Sequence, residues 1–159
     1  MTQLRQAKYR QDYQAPDYTI SEIDLDFILD PAKTVVTAIS QVKRLNPASS
    51  TLELHGEDLK LVSIEVDGQP WTDYKEQDGK LILASLPEAF TLRIVNEISP
   101  EKNTALEGLY VSGDALCTQC EAEGFRHITY YQDRPDVLAR YTTTITADKQ
   151  RYPYLLSNG

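Results

Sequence analysis

Tyr18-Thr19-Ile20-Ser21-Glu22-Ile23-Asp24-Leu25-Asp26-Phe27-Ile28-Leu29-Asp30 is the stretch that decides how this chain folds. Ile23, Leu25, Phe27 and Leu29 alternate with Glu22, Asp24, Asp26 and Asp30. A period of two sets the apolar residues on one face of a strand and the acids on the other, so one face is buried and one is wet. Asp30-Pro31-Ala32-Lys33 reads as a turn, with proline at the position whose φ it pre-sets. Thr34 to Arg44, rich in Val, Ile and Thr, reads as the strand that returns.

The same pattern runs on in both directions. Met1 to Ala15 is polar and reads as a loose arm. Asn46 to Ser50 is a loop, and Thr51 to Leu54 a short strand closed by His55-Gly56-Glu57-Asp58. Lys60 to Val66 alternates, and Asp67-Gly68 predicts a hairpin, because both central residues of the favoured turn adopt positive φ. Gln69 to Tyr74 reads as its return, Gln77-Asp78-Gly79 as another turn, and Lys80 to Leu83 and Phe90 to Ile98 as strands on either side of a Leu86-Pro87-Glu88 corner. Pro135 to Arg140 suits one or two helical turns with Asp133 as cap, and Tyr141 to Ala147 is strand-like. Short strands at close spacing predict an all-β, mostly antiparallel fold. A sandwich or open barrel with at most one or two short helices follows, residues 1–159 forming a single β domain. Tyr152 to Leu156 is an apolar run followed by Ser157-Asn158-Gly159. This is a hairpin signal without a return strand, so the chain reads as a fragment of a longer protein.

Composition bounds the function. With 159 residues, 41% hydrophobic and 25% charged, the chain can bury a core of its own. The net charge of −8 argues against nucleic acid and against an anionic membrane, which both call for a basic patch. Neither a secretory leader nor a spanning segment is evident, and a cytoplasmic home is the default. Cys117 and Cys120 are too few for a disulfide scaffold. Without a βαβ context for a redox motif, or four ligands at finger spacing for zinc, they read as small residues in a tight loop.

One segment concentrates the chemistry: Cys117-Thr118-Gln119-Cys120-Glu121-Ala122-Glu123-Gly124-Phe125-Arg126-His127-Ile128-Thr129-Tyr130-Tyr131. By pattern alone Glu121 and Glu123 are solvated loop acids. His127 lies in an alternating run with Phe125, Thr129 and Tyr131 and reads as packed or hydrogen-bonded, Tyr130 and Tyr131 as core or interface aromatics. Arg126 and Arg134 are candidates to pair with the acids. The segment resembles the substrate-amine motif of the bacterial aminopeptidase N family, zinc metallopeptidases of the gluzincin type. Asn103 to Tyr110 and Asp133 to Arg140 resemble the family's flanks, as do Ala7-Lys8-Tyr9-Arg10 and Ala15-Pro16-Asp17-Tyr18. The likeness covers nearly all of this chain, but only the first part of such an enzyme.

The resemblance implies a β domain that packs on a thermolysin-like catalytic domain and caps one side of its active site. Glu121 takes the place of the family's glutamate that contacts the substrate's α-amine. Gln119 takes the place of the residue that contacts the substrate backbone. A carboxylate suits a compact cation through charge-assisted hydrogen bonds, and a neutral amide both donates and accepts. In an extended segment, Gln119 and Glu121 point to the same side. Glu123 is a structural candidate. The zinc-binding His-Glu-x-x-His is absent, since His55 precedes Gly56 and His127 precedes Ile128. So is the family's Gly-x-Met-Glu-Asn, since the one methionine is Met1. Zinc, general base and catalytic tyrosine are therefore expected beyond Gly159, with no cofactor in this stretch and no peptide hydrolysis by it alone. Its expected partners are the catalytic domain and peptides with a free N-terminus. A free-standing β-sandwich binding module is the alternative, and a thiol redox or metal module on Cys117 and Cys120 a third reading.

Overall fold

The structure is a computed structural model and describes residues 9–158. Eleven strands are present among them: β1 (Tyr18–Ile28), β2 (Thr34–Arg44), β3 (Thr51–His55), β4 (Lys60–Val66), β5 (Gln69–Pro70), β6 (Tyr74–Gln77), β7 (Lys80–Ala84), β8 (Ala89–Ile98), β9 (Gly108–Ser112), β10 (Ala115–Gln119) and β11 (Arg140–Thr146). Helical residues are confined to single 3₁₀ turns at Arg10–Asp12, Pro100–Lys102 and Phe125–His127.

A six-stranded sheet has the order β11-β1-β2-β8-β4-β5, a three-stranded sheet the order β3-β7-β6, and β9 and β10 form a separate hairpin. The fold is all-β and mostly antiparallel, with open sheets rather than a closed barrel. β11 lies parallel to β1 at the sheet edge, which its Thr- and Ile-rich composition does not reveal.

The opening stretch behaves as its alternation predicts, with one refinement. Ile23, Leu25 and Phe27 are buried, but so are Tyr18 and Ile20, which lie on the opposite parity. A bulge between Ile20 and Glu22 against β2 absorbs the extra residue and returns the apolar side chains to one face. In the turn to β2, the Asp30 carboxylate accepts bonds from the N–H groups of Ala32 (2.8 Å) and Lys33 (3.0 Å). Asp67 and Gly68 have φ of 51° and 75°, and Asp78 and Gly79 of 52° and 72°, as a hairpin turn requires.

The second sheet closes the core. Leu52, Leu54, Leu81 and Leu83 have no exposed surface and join Ile23, Val36, Leu92 and Ile94 in one hydrophobic cluster. Each such side chain contributes about 1.5–3 kcal/mol of burial.

Three expectations are corrected. Gln69 to Tyr74 is not one strand: β5 ends at Pro70 and β6 starts at Tyr74 in the other sheet, because the chain must cross between layers. Pro135 to Arg140 is not helical: Val137 is buried in the core, and Arg140 already begins β11. The Met1–Ala15 arm is described only from Tyr9, and there it is tied down: Tyr13 donates to Asp136 at 3.0 Å and Arg134 to the Gln14 carbonyl at 2.7 Å. Ala7, Lys8 and the Gly159 end of the expected hairpin turn lie outside the described residues. Tyr152 to Leu156 forms no strand, and Tyr154 and Leu156 are exposed.

Replacing Leu83, whose side chain fills the space between the sheets, tests this layering. Leu83→Ala is expected to lower the denaturant-derived stability of the 159-residue chain by about 3 kcal/mol, the cost of a core cavity. A change under about 1 kcal/mol would mean that the two sheets do not share a core.

Candidate functional site

β10 ends at Gln119, and the chain turns immediately. The Gly124 N–H donates to the Cys120 carbonyl at 2.9 Å and closes the turn. A Cβ on Gly124 would lie 2.5 Å from the Gln119 carbonyl oxygen, so only glycine lets the backbone pass this close. Within the turn the Glu121–Ala122 peptide is cis, and Glu123 has φ of 72°. Closed by the Gly124–Cys120 bond, the segment is a turn and not the extended chain expected from the sequence. The Gln119 amide folds over and donates from Nε2 to the Glu121 carbonyl at 2.9 Å, so the two residues meet through a turn. Both are exposed. Among the described residues no donor pairs with the Glu121 carboxylate, whereas Glu123 lies 3.7 Å from Arg126.

Below the turn the motif is buried. Phe125–His127 makes a 3₁₀ turn rather than a strand. Ile128, Thr129, Tyr130 and Tyr131 follow in the core. His55, the last residue of β3, exchanges backbone bonds with Tyr131 (2.7 and 3.1 Å). The Glu57 N–H donates to the Arg126 carbonyl at 3.0 Å. Asn96, fully buried in β8, donates from Nδ2 to the Ile128 carbonyl at 2.9 Å. Tyr130 donates its hydroxyl to Glu76 at 2.9 Å and lies over Gly56, where a Cβ would come within 2.3 Å of the ring. Phe125 meets Tyr131 edge-on at 5.1 Å.

Charge surrounds this frame. Arg126 donates from Nε to Asp133 at 3.0 Å and reaches Glu57 at 3.5 Å. Arg134 pairs with Asp136 at 2.6 Å, and this ion pair, helped by the Tyr13 hydroxyl, holds the Asp136 carboxyl at about 2. His127 lies 3.4 to 3.8 Å from Glu107, Asp58 and Glu57. His55 Nδ1 accepts the Asp133 N–H at 3.2 Å. Burial first, then the Arg126 and Lys80 charges, lower its pKa from 6.5. A shallow polar groove of about 790 Å³ runs between the arm and residues 132–136, with Glu123 and Arg126 in its wall and Glu121 outside it.

Cys117 and Cys120 are free thiols. Burial, with Asp133 and Glu121 nearby, pushes the Cys120 thiol up, the opposite of what a reactive thiolate requires. Among the described residues, no group of three or more His, Cys, Asp or Glu is arranged to hold a metal ion.

Pattern reading missed Asn96 and the His55–Asp133–Arg126 chain. Asn96 carried a signal: it occupies an inward register of β8, between Ile94 and Ile98, where an apolar residue is the rule. The others carried none: His55 meets Asp133 from a distant part of the chain, and nothing local to Arg126 marks Asp133, rather than the acids of its own turn, as its main partner.

An antiparallel β domain of this kind stands at the N-terminal end of one peptidase family. Residues 11–159 match the peptidase M1 N-terminal domain, and the chain belongs to that family. It is 68% identical over its whole length to aminopeptidase N of Escherichia coli and 54% identical to that of Haemophilus influenzae. It spans 18% of the length of each. Its fold superposes with a TM-score of 0.88 on Legionella pneumophila aminopeptidase A, solved in complex with aspartic acid. That comparison has 34% identity and covers 96% of this chain and 18% of that one.

His55 sets a pH dependence. Its folded pKa lies below 6.5, so the unfolded chain takes up the proton first. The stability it contributes is complete above pH 6.5 and is lost as pH falls below that value toward the folded pKa. His55→Asn keeps an acceptor but does not titrate. It should flatten the fall in denaturation midpoint between about pH 7.5 and 5, and an unchanged slope would refute the role of His55.

Proposed function

We propose that the whole protein is a zinc aminopeptidase that removes N-terminal amino acids from peptides, with this domain supplying substrate recognition. The reading rests on one observation above all: an exposed carboxylate, Glu121, without a partner among the described residues, on a turn anchored to a rigid core. Glu121 receives the α-ammonium of the substrate through charge-assisted hydrogen bonds. Gln119 contacts the substrate backbone beside it, where an amide can serve both a carbonyl and an N–H. The net charge of −8 favours approach of a cationic chain end.

When bound in the catalytic domain, zinc would polarise the scissile carbonyl and activate water. Residues 1–159 hold the amine and leave hydrolysis to that domain, against which they pack, so on their own they are inactive. We assign the protein to the cytoplasm. No helix among the described residues is long and apolar enough to cross a membrane, and both thiols are free, as a reducing compartment allows.

In the full-length protein Glu121→Ala is expected to lower kcat/KM for amino-acid amides by about 30-fold, equivalent to about 2 kcal/mol for a lost charged hydrogen bond. Steady-state kinetics indistinguishable from the parent would remove Glu121 from the recognition site.

A further inference from the structure

We propose that Arg126 is a positioning residue for the amine-binding carboxylate, clamping the exposed turn that carries Glu121 onto the buried frame; this rests on the reading of Glu121 above. The geometry has three parts. First, Arg126 is fixed at its backbone: its N–H donates to Asp133 Oδ2 at 3.2 Å, and its carbonyl accepts from Glu57 at 3.0 Å. Second, its side chain, only 13% exposed, turns back along the frame. Nε meets Asp133 Oδ2 at 3.0 Å and Nη2 meets the Asp133 carbonyl at 3.2 Å. Third, the outer edge of the same guanidinium faces Glu57 at 3.5 Å and Glu123 at 3.7 Å. Glu123 is two residues beyond Glu121 on the same turn.

A planar fork with five donors can hold a buried carboxylate, a carbonyl and an outer carboxylate together, which a single ammonium cannot. The arrangement has an electrostatic consequence. Asp133, Glu57 and Glu123 share the Arg126 charge, while Glu121 is left with its own charge to offer to an incoming cation. The clamp acts by preorganisation: a carboxylate already held in place spends less entropy when it binds.

A double-mutant cycle in the full-length protein tests this, read as kcat/KM for an amino-acid amide across the parent, Arg126→Lys, Glu121→Gln and the double variant. Arg126→Lys should reduce kcat/KM about fivefold in the parent and less than about twofold when Glu121 is already Gln. Glu123→Gln, which changes only the exposed end of the clamp and leaves its buried part intact, provides a second cycle with the same expected non-additivity. Equal penalties in both backgrounds would reduce Arg126 to a purely structural residue and overturn this proposal alone. Silence of Arg126→Lys and Glu123→Gln would do the same. A silent Glu121→Gln would instead overturn the recognition reading itself.

Discussion

The short strand β3 carries more of this architecture than its five residues suggest. Leu52 and Leu54 are completely buried and, with Leu81 and Leu83 of β7, close the core against the six-stranded sheet. The residue that follows Leu54 is His55, whose backbone pairs with Tyr131. One strand thus joins hydrophobic closure to the placement of the motif. The hydrophobic term is non-directional, so it seats β3 without choosing what its end touches. The backbone pair at His55 adds that direction.

Polar groups then set the motif in the frame. Asn96 is buried with its Nδ2 bonded to the Ile128 carbonyl and its Oδ1 without a partner among the described residues, and an apolar residue there would leave that carbonyl without its donor. Arg126 sits between Asp133 and Glu57 and balances acids that would otherwise repel one another at the base of the turn. The buried part of the motif is rigid for these reasons. Its outer part, from Gln119 to Glu123, stays at the surface, where a ligand can reach it.

The relation between pattern and structure differs from element to element. β1 and β4 were legible because their side chains alternate between a buried and a more exposed face, and β2 because Val, Ile and Thr suit a pleated, half-buried surface. The two Asp-Gly turns were legible because their chemistry is local. Pro135 to Arg140 misled, since its helix-start signals are weak next to the burial of Val137 and the parallel pairing of β11 with β1. The motif misled in the same way: its alternation suggests extended chain, yet Gly124 folds it into a turn and Phe125–His127 into a 3₁₀ segment. Close packing against β3 and β8 outweighs a period of two over so few residues.

The sequence by itself determined the class of fold, most strand positions, and the segment that holds Gln119 and Glu121. These follow from local pattern and from residue types in a recognisable order. Only the tertiary structure decided that Gln119 and Glu121 meet through a turn, that Arg126 rather than Arg134 faces Glu123, and that Asn96, His55 and Asp133 support the motif. The reason is range. Alternation and turn chemistry act between neighbours in the chain, whereas the Asn96–Ile128 and His55–Asp133 bonds join groups far apart in sequence that meet only when the sheets close over a common core.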